Sequence, residues 1–362
     1  MRTGTFSRSE AKPRAGVVMD CFLRIIIPLR CKAALCVLLG TQAPAADGIF
    51  VAVGGGGRIM SSRDGLNWET AQEWDSKWAD DSNLLHWVTS GLGKIVASGG
   101  GGWSRDTQAG HILVSTDGKA WREVAKLPNR VSPVLFSGDR FVCAGGGDGT
   151  ALRWSLDGEK WEAGATYKEF VAVQNAPAAD GGKPSPLKGV NFRRGAAGNG
   201  VFLFTGDASE KTNWQLTTRD GTTLTSFTRG TPQCGSVAFG AGKFVLAGRD
   251  GIFTSADAQK WQREPGTPAD ELWRVEWSGR EFIVAGKKSF YRSSDGTTWQ
   301  SFGGKPPGWI AAASAHGHVA MSWGANLFFS PDGQTWKRVT QPNPARQMER
   351  VIFADNIPDA KR

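Results

Sequence analysis

The sequence predicts an all-β fold: a seven-bladed β-propeller of four-stranded antiparallel blades, closed by pairing of N- and C-terminal strands. Three observations predict it. A turn with one cadence occurs seven times, an apolar strand ending in glycine occurs seven times beside it, and the chain opens and closes on different strands of one blade.

The turn reads S-x-D-G-x-x-W. Its copies begin at Ser62, Ser115, Ser155, Thr218, Ser255, Ser293 and Ser330, with carboxylates at Asp64, Asp117, Asp157, Asp220, Asp257, Asp295 and Asp332. A hydroxyl residue ends one strand, the Asp accepts N–H bonds across a tight turn, and Gly supplies a positive φ. The Trp then falls on the returning strand, where it wedges against the neighbouring repeat. Seven carboxylates in one turn position are structural, because a turn used seven times needs its turn residue seven times.

The companion strands read FVAVG from Phe50, IVASG from Ile95, FVCAG from Phe141, FLFTG from Phe202, FVLAG from Phe244, FIVAG from Phe282 and a degenerate AMSWG from Ala320. Apolar residues at both parities mean that both faces are covered, as in a blade between blades. A preceding strand shows in V-L-F before Ser137, V-A-F before Gly240 and V-E-W before Ser278. Each blade therefore runs inner strand, second strand, third strand ending in the turn, and a short outer strand. The repeats start at Phe50 with a second strand and end at Arg350–Phe353 with a first strand, so one blade joins both ends and removes the open edge.

Successive turn Asp residues are 53, 40, 63, 37, 38 and 37 apart. The extra residues fall at 69–84, 99–110, 162–188 and 206–213, always between strands four and one or strands two and three. Those connections share one face of a propeller, where binding is expected.

The cadence resembles the Asp-box, or bacterial neuraminidase repeat, of the sialidase-like β-propellers. It is similar to the shorter S-x-D-G-x-x-W variety of exported bacterial propellers, one residue tighter between Asp and Gly. The resemblance covers nearly all of residues 46–362 and implies blades, not chemistry. The sialidase architecture also implies an arginine triad and a Tyr/Glu nucleophile pair. Of the two tyrosines, Tyr167 lies in an insertion and Tyr291 in a third strand, away from the channel. A two-carboxylate glycosidase using donors such as Asp106, Asp207 or Glu276 stays open.

Residues 1–45 read as an extension plus a secretory signal peptide: basic Arg24, Arg30 and Lys32, an apolar core from Ala33 to Leu39, and Ala43-Pro44-Ala45 as cleavage site, with Met19 the expected start. This places the protein outside the cell or in the periplasm, with residues 46–362 as one propeller. The net charge of +9 shrinks when the leader is set aside, since residues 1–45 hold seven Lys/Arg and two Asp/Glu, leaving 36 basic against 32 acidic residues, or +4. No basic run remains, so nucleic acid is not an expected partner, and no later segment is apolar enough for stable membrane insertion. Three of five cysteines lie in the leader; Cys143 and Cys234 fall two blades apart and are expected unpaired.

Other chemistry is thin. The Gly runs at 54–57, 99–102 and 145–147 lack the Lys-Ser/Thr of a phosphate loop, and His316 and His318 lack companion ligands, so neither cofactor nor metal is expected. Trp74, Trp78, Trp103 and Tyr167 in the long loops suit stacking on sugar rings or gripping a protein; plugging loops onto the ring is the alternative. Aligning the first strands places Arg194, Arg274 and Arg350 at one position near the upper end of three inner strands. They either converge on the channel mouth or pair with local acids, such as Glu271 or Glu276 beside Arg274. The expectation is an exported, monomeric, non-catalytic propeller that binds a glycan or protein on its long-loop face. The alternative is a glycoside hydrolase or lyase acting on an acidic glycan.

Overall fold

The computed structural model describes residues 48–74, 83–101, 109–147, 150–166, 168–169, 192–207, 213–229, 231–232, 235–323, 326–342 and 347–357. They form seven four-stranded antiparallel sheets, the predicted propeller. The inner strands of blades one to seven are Met348–Asp355, Leu85–Gly91, Val131–Ser137, Phe192–Gly198, Ser236–Gly240, Leu272–Trp277 and Trp309–Ser314. In blade one the strand Met348–Asp355 pairs with Gly48–Gly54, with Phe353 opposite Phe50, and closes the ring.

In all seven turns the Asp accepts two N–H groups, and five share the full construction; Leu224 replaces the Trp in blade four, and Ala258 the Gly in blade five. Asp295 Oδ1 accepts the N–H groups of Thr297 (2.8 Å) and Thr298 (2.9 Å) while Ser293 Oγ accepts that of Gly296 (2.8 Å), and the Trp299 indole donates to the Gly296 carbonyl (3.1 Å). The residue after the Asp has a positive φ in all seven, from 73° to 81° at the six glycines and 59° at Ala258. That residue lies flush on the preceding blade: a Cβ at Gly296 would sit 2.8 Å from Val245, and one at Gly65 2.2 Å from Phe329. The Trp rings occupy the same seam. Trp336 of blade seven stacks on Phe290 of blade six at 5.0 Å, and in blade five, where Ala258 replaces glycine, Trp261 donates to Gln215 of blade four (2.7 Å).

Further in along the same seams, Phe136, Phe239 and Trp277 at the lower ends of inner strands lie over Gly91, Gly198 and Gly240 of the preceding blade. The buried clusters accordingly span adjacent blades, for example Phe50 and Met60 of blade one with Val319 and Phe329 of blade seven. Cys143 is buried on its second strand with its thiol unpaired, and burial pushes that thiol well above its ordinary value. Cys234 lies outside the described residues. Among the described residues no helix is long and apolar enough to cross a membrane.

Candidate functional site

The upper ends of the inner strands carry the aligned arginines. Arg194, Arg274 and Arg350 stand opposite Thr205, Ala285 and Val53, in each case the residue before the glycine that ends the second strand. The pairing skips one residue just there in blades one, two, four and six, between Leu272 and Arg274 for instance, and shifts nearby in blades three and seven, so a bulge re-aims side chains around the channel rim.

The three guanidinium groups reach different ends. Arg350 of blade one crosses to Glu276 of blade six in a two-pronged pair: Nη1 bonds Oε1, and Nη2 bonds Oε2 at 3.0 Å. Blade seven lies between them, and its inner strand is Ala311, Ala312 and Ala313 there, which leaves room for the crossing. Arg350 also lies 4.6 Å over the ring of Trp87 of blade two. Arg194 Nε donates weakly to the Gly235 carbonyl of blade five (3.4 Å). Arg274 lies 5.2 Å over the Trp309 ring of blade seven and makes no ion pair or hydrogen bond among the described residues. The local acids are used elsewhere: Glu276 is held by Arg350, and Glu271 faces Lys287 at 3.6 Å.

Arg194 and Arg274 line an open cavity of about 640 Å³ with Trp273, Trp309, Trp323 and Glu349. Trp323 is 79% exposed and meets Trp309 edge-on at 5.6 Å. Burial, then the nearby charges of Arg194 and Arg350, pull Arg274 well below the ordinary guanidinium value. Burial pushes the Glu349 carboxyl up against the pull of Arg194 and Arg274, and Glu349 accepts a bond from Gln347 (2.9 Å). Glu276 is likewise pushed up by burial, against the pull of Arg350.

The other expected residues do not gather here. Trp74 is half-buried on the ring, its indole over Gly57 and 4.6 Å from the His111 ring. Trp78, Trp103, Asp106 and Tyr167 lie outside the described residues, as does the side chain of Asp207, whose backbone ends the strand Val201–Asp207. Tyr291 donates to Asp270 (3.0 Å), and burial with that carboxylate pushes its phenol up to about 12. His316 packs on Phe353 at 4.8 Å, whereas His318 is buried and held down at about 4 by that burial, so the pair does not present two imidazoles to one point.

Sequence reasoning missed Trp273, Trp309, Trp323 and Glu349. The expectation of a seventh second strand from Ala320 puts Trp323 just before its terminal glycine; the pairing corrects this, since His318 stands opposite Ser330 as Phe282 stands opposite Ser293, and Met321 holds the position of Ala285. That strand ends at Ser322, and Trp323 occupies the turn above it.

The chain matches no family model and no curated protein sequence. Among solved structures it is similar to apo AztD from Citrobacter koseri, at 9% identity and a TM-score of 0.51, over 84% of this chain and 97% of that one. A nidogen/laminin complex aligns at 9% identity and a TM-score of 0.46, over 85% of this chain and 98% of that one. The computationally designed Ika8 protein aligns at 11% identity and a TM-score of 0.42, over 78% of this chain and 80% of that one. At such identities the likeness is one of fold.

Proposed function

We propose that the protein is a non-catalytic binding propeller that takes a glycan in the cavity at the long-loop end of its channel. The observation that carries this reading is Trp323, an exposed indole standing beside Trp309 at the rim of a 640 Å³ cavity. A large apolar ring held in water beside a concave site is costly unless it meets a partner, and sugar rings present flat C–H faces to such indoles. Of the expected glycosidase carboxylates, Glu276 is committed to Arg350. The leader supports export, with cleavage after Ala45.

A glycan array probed with the purified protein tests the reading. Binding to a defined glycan set is expected, lost at least tenfold in Trp323→Ala with the melting temperature unchanged. A protein that binds no glycan, or whose binding ignores Trp323, does not function this way. N-terminal sequencing of the secreted form should begin at Ala46.

A further inference from the structure

We propose that the glycan is anionic and that Arg274 receives its carboxylate, with Glu349 as the residue that tunes the affinity. The inference rests on the glycan reading and adds the charge class of the ligand. An arginine makes five strong donors in a planar fork, and burying one with no acceptor is costly. Around this channel mouth the arginines are partnered selectively. Arg350 spends its fork on Glu276, Arg194 reaches toward the Gly235 carbonyl, and Arg274 lines the cavity over the Trp309 ring with no hydrogen bond or ion pair among the described residues. The site is therefore one open guanidinium backed by an indole, not three converging ones.

The surrounding charge has the right sign. The cavity lining holds Arg194, Arg249 and Arg274 against Glu271 and Glu349, and Glu271 already faces Lys287. Groups close enough to act on Arg274 are Arg194 of blade four, Glu276 of its own strand, and Glu349 and Arg350 of blade one; Arg130 acts on Glu349 as well. A bound carboxylate would offset the burial and the nearby charges of Arg194 and Arg350 that depress Arg274. The apolar remainder of a sugar ring would then lie toward Trp323. Glu349 opposes this while ionised and stops opposing it when protonated, and burial makes protonation easier than for a free glutamate. Acidic ligands should thus bind more tightly as the pH falls.

The test is calorimetric titration of the full chain at low salt with three probes: a glucuronate-terminated disaccharide, its glucose-terminated counterpart, and an acidic heptapeptide. The expected result is at least tenfold tighter binding of the acidic sugar than of the neutral one. Arg274→Met should abolish that preference by weakening the acidic sugar far more than the neutral one, and Arg274→Lys should restore only part of it, because a point charge lacks the fork. Glu349→Gln should tighten acidic-sugar binding at pH 7 and flatten its pH dependence. Equal binding of the two sugars by the wild type, or an acidic preference surviving in Arg274→Met, overturns the inference and leaves the glycan reading intact. Arg274-dependent capture of the peptide with neither sugar bound discards the glycan reading and keeps the anion site. Binding of none of the three probes discards both.

Discussion

Arg350 of blade one grips Glu276 of blade six with two guanidinium nitrogens, bridging the channel past the intervening blade. The side chains are 15% and 11% exposed, so both charges have surrendered most of their water. Burial pushes Glu276 up despite the arginine, which says that the pairing does not fully repay that loss.

The first prediction follows from this imbalance. Glu276→Gln and Arg350→Met should each destabilise the fold by about 3–5 kcal/mol, since each strands one buried charge. The double variant Glu276→Leu/Arg350→Met should cost far less than the sum, because neither charge remains to be desolvated. Urea denaturation of the three variants measures this, and additive costs would show that the pair acts as two independent groups.

The fold was legible in the sequence because its information repeats. Asp295 has a counterpart at fixed spacing in six other places and Gly296 and Trp299 in five each, and the hydrogen bonds they make are local, so no tertiary knowledge was needed. Alignment of the first strands also placed Arg194, Arg274 and Arg350 in one register, which the strand pairing reproduces. Their partners were not legible. The Arg350–Glu276 contact joins residues 74 apart across the ring, and the one-residue bulge before Arg274 breaks the alternation from which facing is read. Trp309 reaches the cavity through the same irregular rim.

The second prediction concerns the turns. Asp295→Ala should destabilise by about 1–3 kcal/mol, because two turn N–H groups lose their acceptor, while ligand affinity of the folded fraction stays unchanged. Gly296→Ala should cost a similar amount through its φ of 75° and a Cβ 2.8 Å from Val245. Ala258→Gly should be nearly neutral: it relieves a φ of 59°, but frees the unfolded chain and removes a buried methyl. Thermal melts order the three. A large stabilisation in Ala258→Gly would mean that the methyl packs poorly against blade four.

The third prediction is acid sensitivity. All seven turn carboxylates are held below the ordinary aspartate value. Burial pushes Asp64, Asp117 and Asp220 up but is outweighed by turn N–H donors; in Asp157, Asp257, Asp295 and Asp332 those donors are the largest influence. A carboxylate depressed in the fold contributes stability that is fully present above its unfolded value, about 3.9, and is lost as pH falls through the folded one. Glu276 and Glu349, pushed up by burial, work the other way, but two groups stand against seven. His318, held at about 4 by burial, costs stability as pH falls from its unfolded value of about 6.5, so the melting temperature should begin to decline below about pH 6.5 and fall more steeply below about pH 4. Asp295→Asn should start lower and fall less steeply, since one proton fewer is taken up on unfolding. A melting temperature independent of pH down to 2.5 would mean that the turns retain their structure with the acids protonated, and that the carboxylate charge contributes nothing to holding the blades.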